Sequence, residues 1–297
     1  MCFLFFADSS FSVHAISRFF KHAILLPSHL CLDAPTVGLL WVAVLLPISK
    51  QASFPWPASL GLFTCIWAIY LFDRLYDARF LRREETNLPS RHQFTLRHRR
   101  LLILLLTLAV LLGAVCLPFL SRRVLIFALG LGMVTGVYYL RFRFLSRSLR
   151  PSGLASKELT IACSFVIGIF ACLFPIHSIV EGVLIALSLG LLFFGNCLKI
   201  AFAESAHDRE HDPAGFYTQR RGRWSETLLV SLPILSAFLS LPLFSNNPLI
   251  AIAILATALT SATVNHRKKL PVFYLPALAD LALIIPPFLF FLLRDLL

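Results

Sequence analysis

Between positions 203 and 212 the chain reads AESAHDREHD, four acidic groups and two histidines in ten residues, directly after the apolar run LLFFGNCLKIAF. Glu204, Asp208 and Asp212 recur every four residues, a spacing that stacks them on one face of a helix. Asn196, eight residues before Glu204, falls on roughly the same stripe. An earlier stretch, YLFDRLYDARF, repeats the pattern with Asp73 and Asp77. Two carboxylate clusters facing one pocket repel each other unless cations lie between them. Magnesium suits that role, because it takes oxygen ligands and shares them with substrate phosphates. A single DxxxD at a helix end is ordinary surface charge; two such clusters at helix ends on one side of a bundle make a metal site the expected reading. HDREH (207–211) also fits the HxxEH zinc pattern, in which His207 and His211 would hold the metal and Glu210 would act as base.

The elements that must position these groups are membrane helices. The chain has 297 residues, 58% hydrophobic and 14% charged, with a mean hydropathy of +0.80. A water-soluble domain carries about 25% charged residues, so too little polar surface is present to cover a soluble globule. The expected fold is all-α, a polytopic bundle. Nine apolar runs are long enough or nearly long enough to cross a bilayer: 34–49, 57–77, 101–120, 122–140, 157–174, 177–202, 226–244, 247–264 and 271–293. They form one domain over 33–297, preceded by a segment, 1–32, that reads as an interfacial amphipathic helix with Arg18 and Lys21 on its polar face. The N-terminus lacks the basic start and cleavage site of a secretory signal. The seven cysteines form no CxxC pair and read as small buried hydrophobes.

The basic residues are segregated. The connections at 78–100, 141–157, 204–223 and 265–269 hold 19 Lys and Arg, whereas the opposite set and the tail hold four: Lys50, Arg122, Arg123 and Arg294. By the positive-inside rule the rich set, which bears both acidic motifs, faces the cytoplasm, and a bacterial inner membrane is the expected location. The net charge of +12 then reflects topology and anionic lipid, and no nucleic-acid partner is needed. Two polar residues fall inside apolar runs. Lys199 is expected to snorkel toward the interface. Asp280, about nine residues into the last run, is expected to pair with a polar partner or to sit at a cavity floor.

Magnesium-bearing carboxylates beside an apolar bundle suit a lipid diphosphate, whose head takes the metals while its tail lies between helices. The implied chemistry is loss of diphosphate from an allylic carbon and attack by a lipophilic acceptor. At these residues the sequence resembles the UbiA-type intramembrane prenyltransferase superfamily, a family of nine transmembrane helices with one acidic motif after helix 2 and another after helix 6. DRLYD (73–77) is similar to the core of the first motif, and ESAHDREHDPAGFYT (204–218) to the second, with Gly215 and Thr218 at the GxxT spacing. The resemblance implies that Asp73, Asp77, Asp208 and Asp212, with Glu204 in place of an aspartate, ligate magnesium. It implies that Arg91 and Lys157 serve the diphosphate. Arg82 and Arg220 or Arg221 are expected to border the same cavity, since a diphosphate needs positive partners besides its metals; Asn196 and Asp280 are its expected cavity residues.

The chain departs from the family pattern where Asn-Asp usually opens the first motif; here Ile69 and Tyr70 stand there. The gap from Asp212 to Gly215 is one residue short. Both mark a divergent branch. A transporter remains the non-enzymatic alternative, although no internal repeat is evident. The metal readings separate by mutation. Asp73→Ala and Asp208→Ala are each expected to abolish magnesium-dependent turnover of a prenyl diphosphate, and His207→Ala and His211→Ala to leave most of it, because magnesium prefers oxygen to imidazole. The reverse order, with sensitivity to zinc chelators, identifies a zinc enzyme.

Overall fold

The structure is a computed structural model that describes residues 25–79, 90–139, 157–211, 224–266 and 274–293; the side chains at 90, 138–139, 204–211, 224–226, 266 and 293 lie outside that description. Arg82, Asp212, Arg220 and Arg221 therefore fall outside it, as do the side chains of Glu204 and Asp208. The described residues are helical throughout, apart from turns and one isolated bridge, Ser49 to Ile176. Ten α-helices follow in order: α1 (Asp33–Leu45), α2 (Trp56–Asp77), α3 (Ser90–Arg97), α4 (Arg99–Cys116), α5 (Arg122–Tyr139), α6 (Lys157–Leu173), α7 (Ile179–His211), α8 (Trp224–Ser240), α9 (Pro248–His266) and α10 (Leu275–Leu293). Among the described residues, six helical stretches are long and apolar enough to cross a membrane, those of α2, α4, α7, α8, α9 and α10; Asp33–Ile48 is a shorter apolar one.

α1 is the axis of the bundle. It is apolar nearly all round, as a helix surrounded by others must be. Trp41, Val42 and Leu45 are completely buried against α6, α7 and α9. Its start is fixed by Asp33, whose Oδ1 accepts the Ala34 amide at 2.9 Å. A second cluster joins α2 to α4 through Trp67, Leu71 and Leu102, and a third joins α7 to α8 through Leu198, Leu229 and Leu232. α2 and α6 approach so closely at Gly168 that an added Cβ would meet Leu62 Cδ1 at 2.6 Å. Large apolar side chains such as Leu104, Leu129 and Met133 point outward from α4 and α5, the surface that a lipid-facing helix presents.

Short turns join α1 to α2, α4 to α5, α6 to α7 and α8 to α9, so each pair runs antiparallel. These turns gather at one end of the bundle and are laced together. Ser49 Oγ donates to the Leu173 carbonyl at 2.6 Å and Gln51 Nε2 to the Cys172 carbonyl at 2.7 Å. Glu181, in the first turn of α7, accepts from Asn246 Nδ2 and Asn247 Nδ2, both at 2.7 Å. The opposite end collects the starts of α1, α6 and α10 and the ends of α2 and α7.

Three expectations change. Residues 25–32 are not a free interfacial strip: Leu25 and Cys31 are buried, and the Leu30 carbonyl accepts Trp67 Nε1 at 2.9 Å, docking the segment on α2. The second acidic stretch is not a loop from 204 onward, because α7 continues as helix through His211. Lys199 does not snorkel: it is buried, and its Nζ donates to the Asn265 carbonyl at 3.2 Å near the end of α9. Carbonyls in the last turn of a helix lack intrahelical partners and attract a cation, and that pull holds the lysine inside.

Glu181→Ala removes both asparagine bonds while leaving the opposite end untouched. About 1–2 kcal/mol of stability is expected to be lost for a partly buried charged pair of bonds, read as a lower thermal midpoint in detergent with ligand binding at the other end unchanged.

Candidate functional site

The end of the bundle opposite the laced turns opens into a cavity of about 1020 Å³. The C-terminal turns of α2 place Asp73, Arg74 and Asp77 on its wall, because residues three and four apart share a helix face. α6 contributes its first two residues, Lys157 and Glu158, at the rim. Lys157, read from the sequence as part of a connection, is thus anchored on a helix. α3 adds Arg91 and His92, α7 adds Asn196 and Cys197, and α10 adds Asp280. Asp33 completes the rim from the start of α1.

Of the residues singled out from sequence, Asp73, Asp77, Arg91, Lys157, Asn196 and Asp280 all line this one cavity. Asn196 and Asp280 are bonded to each other, Nδ2 donating to Oδ1 at 2.8 Å, and the Asp280 carboxyl lies beside that of Asp33. Asp280 is at the mouth of the cavity rather than its floor. The described helix begins at Leu275, only about 7.5 Å before it at 1.5 Å per residue. Ile69 and Tyr70 also face the cavity, and Tyr70 packs edge-on against Phe165 with ring centroids 6.3 Å apart. Glu204, His207, Asp208 and His211 lie about two to four turns beyond Asn196 along the same helix.

Among the described residues no group of three or more His, Cys, Asp or Glu is close enough to hold a metal unaided. Magnesium does not require one: it is commonly held by one or two carboxylates plus substrate phosphates and waters. Asp73 and Asp77, one turn apart on the same wall, are a donor pair of that kind.

Three charged residues and one histidine on the cavity wall were not singled out from the sequence: Asp33, Arg74, Glu158 and His92. Arg74 is the most informative. It is 9% exposed, it lines the cavity, and its Nη1 has no hydrogen-bond partner among the described residues. A guanidinium donor buried without an acceptor costs about 1–3 kcal/mol, and an anion in the cavity would remove that cost. The sequence signal was its place inside DRLYD, between two carboxylates and one turn from the helix end.

Arg74 can be tested without any assumed reaction. Inorganic diphosphate with magnesium is expected to raise the thermal midpoint of the wild-type protein, by about 2.7 kcal/mol at a hundredfold excess over Kd. Arg74→Met is expected to lose most of that shift while keeping its fold.

No protein-family model matches the chain, and no curated protein or solved structure matches it.

Proposed function

We propose that the protein is a UbiA-like intramembrane prenyltransferase, transferring a prenyl group from a prenyl diphosphate to an aromatic or other lipophilic acceptor with the aid of magnesium. The observation that carries this reading is the polarity of the cavity. Carboxylates and cations crowd its mouth, and its depth is lined by apolar and small residues such as Ala58, Leu62, Leu120 and Val124. A ligand complementary to both halves has a multiply charged head and a long apolar tail. The reading also takes the bundle as nine transmembrane helices in a bacterial inner membrane, with the arginine-rich end in the cytoplasm.

In this reading Asp73 and Asp77 would hold magnesium at the mouth, and the resemblance adds Glu204, Asp208 and Asp212 as further ligands. A metal held there would supply positive charge to a departing diphosphate. Arg74, Arg91 and Lys157 take the remaining oxygens; a guanidinium can grip two at once. The allylic C–O bond breaks with its electron pair leaving on the diphosphate. The allylic carbon then bonds to the acceptor, which releases a proton. The aromatic rings of Tyr70 and Phe165 line the wall just inside the mouth, where their faces would stabilise a cationic carbon. The volume exceeds the range of about 300–1,000 Å³ typical of a pocket for one small ligand, which leaves room for donor and acceptor together. Asp33, Asp280 and Asn196 are the polar groups placed to meet the acceptor.

The transporter alternative finds one point of support, the hydrogen-bonded Asp280–Asn196 pair inside an apolar helix packing, since such pairs also mark substrate pathways. Membranes bearing the protein, incubated with labelled prenyl diphosphates and a panel of acceptors, separate the two: magnesium-dependent product supports the transferase, gradient-driven uptake the transporter. Charge reversal at Arg91 or Lys157 is expected to weaken prenyl diphosphate use at least tenfold, against less than twofold at Arg122 or Arg123 on the opposite end. Equal effects at both ends would mean that the basic residues serve orientation alone.

A further inference from the structure

The cavity has a measurable depth. On α2 its lining runs from Asp73 back to Ala58, and on α6 from Glu158 to Cys172. At 1.5 Å per residue these are about 22 Å and 21 Å, so two separate helices give the same length. Charge is confined to the first turns. Past Tyr70 the α2 wall is Ala68, Ile66, Cys65, Thr64, Leu62 and Gly61. The one hydroxyl among them, on Thr64, is already spent on the Leu60 carbonyl at 2.9 Å. The far end is lined by Ala58, Leu120, Val124 and Cys172.

An extended isoprene unit adds four carbon–carbon bonds of about 1.5 Å along a zigzag, roughly 5 Å of reach. The apolar stretch between Tyr70 and Ala58, about 18 Å, holds about four such units. Resting on the prenyl diphosphate reading above, we infer that the preferred donor carries a tail of four isoprene units, twenty carbons, and that the wall of α5 measures it. Gly132 is the key position on that wall. It lines the cavity about midway along α5, and a Cβ added there meets nothing within 4 Å. A larger side chain here meets no neighbour, and because the position lines the cavity it narrows the space left for the tail.

The experiment measures binding to the purified full chain in nanodiscs with magnesium, using inorganic diphosphate and the geranyl, farnesyl, geranylgeranyl and hexaprenyl diphosphates. Affinity is expected to rise with each unit to geranylgeranyl, at least tenfold above farnesyl, and to rise no further with hexaprenyl. Gly132→Phe is expected to weaken geranylgeranyl binding at least tenfold while leaving geranyl and inorganic diphosphate within twofold. Leu120→Ala, at the far end, is expected to raise affinity for the hexaprenyl donor, and it serves as the independent variant should Gly132→Phe misfold. Wild-type binding that is equal for all tails, or tightest for hexaprenyl, overturns the length assignment. In the latter case the tail leaves the bundle between α4 and α5, which both line the cavity. Neither outcome touches the proposed function, which fails separately if the wild-type chain binds neither inorganic diphosphate nor any prenyl diphosphate.

Discussion

Asp33, Asp73, Arg74, Asp77, Arg91, Lys157, Glu158 and Asp280 meet around one hollow in a chain otherwise built of apolar helices. Removing a charge from water is costly unless a partner repays it, and in a bilayer no solvent steps in. The arrangement meets that constraint by gathering opposite charges at the same end of the bundle. The laced turns carry polar ties at the other end, and the apolar core around α1 supplies the cohesion between them.

The helices were legible because apolar runs of this length have one stable solution in a membrane. The positions of Asp73, Asp77, Lys157 and Arg91 on a shared cavity were legible too, from four-residue spacing and from the segregation of arginine. Other features depended on partners distant in sequence. Lys199 looks like a snorkelling residue until Asn265, 66 positions away, is placed against it. Asp33 looks like an ordinary first-turn acid, and only the packing of α10 across α1 brings it to Asp280. Arg74 carried only a weak signal, its place inside DRLYD, since an arginine beside a membrane exit is the commonest sight in such chains.

The departure at the first motif gains a physical meaning from the structure. Ile69 and Tyr70 are not turned away into the core but face the hollow. Where a polar pair would add ligands, this chain presents an aliphatic and an aromatic surface. Under the proposed function that exchange would weaken the grip on a metal and strengthen the grip on a carbon skeleton, and the site would lean more on cationic side chains such as Arg74.

The shortness of α1 has a consequence for how a substrate arrives. Thirteen residues of helix cover about 20 Å, some 10 Å less than the hydrocarbon core of a typical bilayer. A helix of that length reaches the headgroups with at most one of its ends. Where the sunken end is the one that bears Asp33, a molecule drawn from the surrounding leaflet would have to lower its polar end to reach the cavity, shedding water as it goes.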